Sequence, residues 1–295
     1  MPYPAVISAV PIPITIPPRA MPACLVRRLS LPLVLAAGLL LAGCAAEPEG
    51  PSDAASAGIV PATRADSIAL KVYEAHGGPE AWASVPYLRF DFAFGQGGQR
   101  QRIASHLWDR HSGAYRVEWT RGADSTYVAL FNVNHHRDGQ VYLNGEPVPA
   151  TQNAELLEQA YRRYINDTYW MLMPVKLFDP GVQRTYVPDS SDADTDVIRL
   201  SFEQVGLTPG DQYWVYVDRA TGRVKEWAFV LQSGNRGRFA WTAYEEFDAP
   251  AGTIAIATAK PAIGADRTLY TDRVEVLTEV PADLFTDPRP RLVAE

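Results

Sequence analysis

The sequence predicts a mainly β protein with a few helices, arranged as a strongly curved antiparallel sheet with a helix packed in its concavity. Three observations lead there. In YLRFDFAFG, Leu88, Phe90, Phe92 and Phe94 alternate with Tyr87, Arg89, Asp91 and Ala93, the two-residue period of a strand. Many further short strand-like runs follow, separated by the turn signals HSG, HHRDG, DRATG and APAG. Several of these runs are bulky and apolar on both faces, as in QYWVYVD and VKEWAFVL, so something covers the second face.

The elements follow in order. Residues 66–76 (DSIALKVYEAH) carry Ile68, Val72 and Ala75 at helical spacing, and Gly77 and Gly78 end that helix. Pro79 can open a short turn, PEAWAS. Strands are expected at 87–94, 102–109, 114–120, 126–134, 140–143, 183–187, 196–202, 212–218, 223–231, 237–247, 252–259 and 267–278. Residues 95–100 (GQGGQR) read as a hairpin turn, and DRATG joins YWVYV to RVKEWAFV in another. One long helix interrupts the strands at 153–173. Asn153 is its expected cap, Leu157, Ala160, Tyr161, Tyr164, Ile165, Thr168 and Leu172 form one face, and Pro174 stops it. It is the element available to fill the concavity.

The N-terminus predicts an address. Arg27 and Arg28 precede an apolar run at 31–43, too short to span a bilayer, which needs about 20 apolar residues. Leu41-Ala42-Gly43-Cys44 resembles the lipobox of bacterial lipoproteins, which implies acylation of Cys44 and cleavage before it. Residues 1–43 then form the signal peptide, and Met21 would give a more compact one. Residues 44–63 would be the acylated cysteine and a tether rich in Ala, Pro, Gly, Ser and acids. Residues 64–295 are expected to form a single domain. Removing 1–43 takes three arginines and no acid, so the remaining 252 residues carry a net charge of −10 instead of −7. That charge repels nucleic acid and anionic lipid surfaces, so the acyl chains themselves must hold the protein to its membrane. Ala45, with no aspartate after the cysteine, resembles an outer-membrane sorting signal. With Cys24 lost and Cys44 acylated, no thiol remains for a disulfide or a thiolate metal site.

EAHGGPEAW, LRFDFAF, LWDRHSGAYRVEW and YINDTYWMLMPVKLFDPGV together resemble a family of bacterial envelope lipoproteins grouped with the LolA/LolB-like lipoprotein-localisation fold. The resemblance runs from about Asp66 to Val230. It implies an unclosed, strongly curved β-barrel with helices plugging its mouth and an apolar concavity for acyl chains. LolB carries an exposed apolar loop. The nearest segment here is Gly206-Leu207, a poor match.

Chemistry-bearing residues are few. His135-His136-Arg137-Asp138 offers imidazoles and a carboxylate, but neighbours on a strand face opposite ways, so no shared metal is expected. His106, with His135 and Asp138, would be needed for a hydrolase, the reading with least support. Asp192, Asp194 and Asp196 alternate as in a calcium loop with Glu203 at its twelfth position. Val197 stands where glycine is required, and the following residues read as a strand, so a solvated turn is expected. There is no nucleophile elbow, phosphate loop or dinucleotide fingerprint, and no cofactor is expected. The expected function is non-enzymatic binding of an acyl chain or other hydrophobic molecule. Its wall would comprise Phe90, Phe92, Phe94, Tyr115, Val117 and Trp119, with Trp170, Met171 and Met173 from the helix. The alternative is a structural protein whose concavity its own helix fills, with another envelope protein as partner.

Overall fold

The computed structural model describes residues 58–202 and 210–293. Cys44, the signal segment and Gly206-Leu207 lie outside the described residues. None of the helices described is long and apolar enough to cross a membrane.

Two helices open the domain: α1 (Arg64–Ala75) and α2 (Gly78–Ser84). Thr63 and Asp66 close a reciprocal capping box at the start of α1, two residues earlier than the pattern predicts. Gly77 turns the chain at φ +115°, where a Cβ would meet the Thr253 carbonyl at 2.7 Å. His76 ends α1 fully buried, with Nδ1 2.6 Å from the Val72 carbonyl, and burial pushes its pKa down to about 4.

Six strands follow: β1 (Tyr87–Gln96), β2 (Gln99–Asp109), β3 (Ala114–Thr120), β4 (Thr126–Asn132), β5 (Gln140–Leu143) and β6 (Glu146–Pro147). Then comes α3 (Ala150–Leu172), the long helix. Its N-cap is Pro149, without a side-chain cap. Asn153, the predicted cap, instead accepts from the Val141 N–H at 2.8 Å and donates to the Gly139 carbonyl at 3.1 Å, tying the helix to β5.

The second half holds β7 (Val182–Tyr186), β8 (Thr195–Phe202), β9 (Gln212–Asp218), β10 (Val224–Val230), β11 (Arg236–Ala240), β12 (Thr242–Ala249), β13 (Gly252–Pro261) and β14 (Thr268–Leu277). The single strand expected at 237–247 is two, because the chain changes sheets at Trp241. DRATG makes the predicted β9–β10 hairpin, with Asp218 accepting from the Thr221 N–H and hydroxyl.

All pairing within the sheets is antiparallel. One sheet has nine strands in the order β12-β13-β14-β1-β2-β3-β4-β5-β6 and the other has five in the order β11-β10-β9-β8-β7. Among the described residues a single bridge, Phe239 to Ala262, links them, and neither sheet closes on itself. One continuous apolar core joins both sheets, α1, α2 and α3, so the predicted curved open sheet with a helix in its concavity is the architecture found.

The convex face of β3 is also covered. The C-terminal segment crosses it, and two buried side chains there bind main chain. Arg116 donates to the carbonyls of Leu284, Asp287 and Arg289. The Glu118 carboxylate accepts from the N–H groups of Arg291, Leu292 and Val293 at 2.9–3.1 Å. The two side chains pair with each other at 2.5 Å.

Candidate functional site

The concave face of the large sheet is built from three rows of side chains, each running across hydrogen-bonded strands. Leu88, Trp108, Tyr115 and Phe131 form one. Phe90, His106, Val117, Ala129 and Val141 form the next. Phe92, Ala104, Trp119 and Tyr127 form the third. Directly paired residues share a face, so the predicted wall residues Phe90, Phe92, Tyr115, Val117 and Trp119 are neighbours. They belong to one core with Trp170, Met171 and Met173 of α3 and the turn after it. Phe94 lies at the rim, half-buried, with the Arg102 guanidinium 5.6 Å from its ring centre. Exposure is nil at Phe90, Val117 and Met173 and reaches only 8% at Phe92 and Trp170. In this conformation the protein's own side chains fill the space.

His106 is the polar exception in the middle row. Its ring stacks on Phe90 with centroids 4.5 Å apart. Nδ1 is 2.8 Å from the Tyr115 hydroxyl, and Nε2 is 3.2 Å from Asp167 Oδ2 on α3, close but not aligned for a hydrogen bond. Burial first, then the nearby Tyr164 and Asp167, hold the Tyr115 phenol protonated well above its usual range. A protonated phenol can donate to Nδ1, an arrangement that leaves the ring proton on Nε2, facing Asp167. This chain of three resembles a proton relay, yet all its members are buried. Its geometric effect is to fasten α3 to the sheet. His136 docks the same helix elsewhere, stacking on Tyr161 at 3.8 Å with Nε2 3.4 Å from Glu158. At the rim, the Arg163 guanidinium of α3 lies 5.2 Å from the Trp119 ring centre.

His135 and Asp138 are exposed beside a short 3-10 turn, while His106 is in the interior. Among the described residues no group of three or more His, Cys, Asp or Glu is placed to hold a metal ion. The Asp192 carboxylate accepts from the N–H groups of Asp194 and Thr195, and Asp196 pairs with Arg64 and Arg219. Those carboxylates serve a turn and ion pairs; Glu203 lies outside the described residues.

Past the C-terminal half of α3, a ladder of indoles runs toward the other end of the sheet. Trp170 packs on Trp227 with centroids 4.3 Å apart, and Trp227 on Trp241 at 6.0 Å. Lys260 Nζ lies 5.0 Å from the Trp241 ring centre. Sequence reasoning missed Lys260, which is fully buried. Its signal was present in GTIAIATAKP, where it shares strand parity with Ile254 and Ile256. It donates to the Ala257 carbonyl at 2.5 Å and lies 3.2 Å from Thr271 Oγ1. Burial pushes its pKa down to about 7.

No family model matches the chain, and no curated protein matches it. Solved structures do. A LolA superfamily protein from Nitrosomonas europaea aligns at 12% identity over 76% of this chain and 98% of its own, with a TM-score of 0.44. A DUF1329 family protein from Desulfovibrio piger aligns at 8% identity over 74% and 94%, with a TM-score of 0.43. A putative outer membrane lipoprotein-sorting protein domain from Vibrio parahaemolyticus aligns at 10% identity over 75% and 95%, with a TM-score of 0.39. These are likenesses of fold alone, and no residue's role is carried over from them.

Proposed function

We propose that the protein is a non-enzymatic envelope lipoprotein, held to the outer membrane through an acylated Cys44, that binds an acyl chain or similar hydrophobic molecule. The ligand would lie between the concave face and α3. Phe90, Phe92, Phe94, Tyr115, Val117 and Trp119 would form one wall, and Trp170, Met171 and Met173 the other. The observation that carries this reading is the set of three mainly apolar rows, with His106 the polar exception, that face α3. Whatever displaces that helix meets a mainly apolar trough. Each methylene buried there contributes about 0.8 kcal/mol, so an acyl chain can compensate for side-chain contacts that α3 gives up. Methionines suit such a wall because their flexible thioethers repack around different shapes.

The near-zero exposure of Phe90, Val117 and Met173 supports a second reading, in which α3 permanently fills the concavity and the protein acts through contacts with an envelope partner. Native mass spectrometry of residues 64–295, purified without detergent after periplasmic expression, separates the two. A stoichiometric lipid, identified after organic extraction, is the expected result. A mass that stays ligand-free after incubation with fatty acids and phospholipids would overturn the binding reading in favour of the second.

A further inference from the structure

We infer that Lys260 and the Trp241 indole form an anion anchor in the interior, specific for the carboxylate end of an amphiphilic ligand. This rests on the reading that an amphiphile binds between the concave face and α3, and adds which chemical class it is.

A lysine ammonium is strongly hydrated, and burying it without an opposite charge is costly. Lys260 has no ion pair among the described residues. Its hydrogen-bond partners, the Ala257 carbonyl and the Thr271 hydroxyl, are neutral. The carboxylate whose charge acts on it, Asp272, is engaged by Arg100 and pairs in register with Asp91, on the face opposite Phe92. Burial depresses the pKa, and the charge of Asp272 opposes that shift without cancelling it. Two neutral hydrogen bonds and the Trp241 ring face are all that offset the desolvation of this charge, a penalty that methionine in the same place would not incur.

A second observation points the same way. The Trp241 indole N–H is buried, in a residue 4% exposed, and has no hydrogen-bond acceptor. An indole nitrogen can only donate. Two donors of this kind, one cationic and one neutral, suit a carboxylate, whose two oxygens can accept from both.

The position fits an amphiphile's polar end. Thr271 pairs in register with Phe92, and Leu269 pairs with both Phe94 and Lys260, so the lysine continues the predicted wall across the sheet. From Trp241 the indoles of Trp227 and Trp170 lead apolar surface toward α3. The carboxylate would sit at Lys260 and the chain would run along that ladder.

The test compares dodecanoic acid with methyl dodecanoate, measured by displacement of a fluorescent fatty-acid probe from the purified protein and from Lys260→Met. The wild type is expected to bind the acid at least about tenfold more tightly than the ester, the scale of a charge-assisted hydrogen bond. In Lys260→Met that ratio should fall to about one, through weaker binding of the acid. Equal affinity for acid and ester in the wild type, or a ratio that survives in Lys260→Met, would overturn the anchor while leaving hydrophobic binding intact. Failure of both compounds to bind the wild type would overturn the binding reading itself, and the anchor with it.

Discussion

On β3, Tyr115, Val117 and Trp119 face α3, while Arg116 and Glu118 face the C-terminal segment, and all five are buried to within 1% of completely. The concave set is covered by apolar and aromatic side chains of a helix that satisfies its own main chain. The convex set is covered by a segment with one short 3-10 turn, Ala282–Phe285, followed by irregular main chain, and the main-chain groups left over find partners in the sheet's side chains. Hence one face of the strand is apolar and the other carries a full positive and a full negative charge. The nature of the cover decides which residues can be buried. A helix can be displaced from an apolar wall and replaced by another apolar body. A strap held by six main-chain hydrogen-bonding groups, three carbonyls on Arg116 and three N–H groups on Glu118, has no such substitute.

The largest expected effect comes from breaking the convex pair. Glu118→Ala leaves the buried Arg116 charge without its partner and three strap N–H groups without an acceptor, and should cost about 3–5 kcal/mol. Urea unfolding gives the number, and limited proteolysis should cut within 284–293 in the variant alone. Replacing both residues with apolar ones often restores stability at buried ion pairs. Here the double variant Arg116→Met with Glu118→Leu should not recover, because the strap's main-chain groups stay unpaired. Recovery to wild-type stability would mean that the cover needs no hydrogen bonds, and would erase the contrast between the two faces.

That contrast bears on what could be read from sequence. The strand period of YLRFDFAFG and the DRATG hairpin were legible because local patterning sets them, and both are present. The inward residues of β3 were legible for the same reason. Arg116 and Glu118 at alternate positions read as an ordinary wet face, since strand parity says which residues share a side and nothing of what covers it. Their cover, 282–293, has prolines and charges without period, and its tertiary hydrogen bonds to Arg116 and Glu118 set its course across β3. Alternation persists through Trp241 as it would in one strand, whereas the change of sheet depends on which neighbours are available. Lys260 was passed over because a lone lysine near a strand end usually reaches water. The trio of Tyr115, His106 and Asp167 joins residues up to 61 positions apart by number, beyond any local signal.

On the concave face the expected cost is smaller and of a different kind. Val117→Ala removes two carbons from the middle row, under α3, and should cost about 2 kcal/mol from lost burial and the small cavity left behind. No polar group is stranded, so the strap should stay resistant to protease even as the urea midpoint falls. Proteolysis at 284–293 in Val117→Ala would show that the two faces are not independent.

The smallest effect tests whether the polar trio or the apolar rows dominate the hold on α3. Tyr115→Phe keeps the ring in its row and removes only the hydroxyl that donates to His106 Nδ1. The lost hydrogen bond is neutral and replaced by nothing, so about 1 kcal/mol is expected, less than for Val117→Ala. The imidazole also loses the donor that fixes its tautomer, so nitrogen-15 NMR of His106 should show the Nε2–H form in the wild type and a mixed or altered state in the variant. If Tyr115→Phe instead cost more than Val117→Ala, the trio would be the main fastening of α3. Releasing the helix for a ligand would then begin with breaking the contact between His106 and Asp167, and the apolar rows would be only the surface it uncovers.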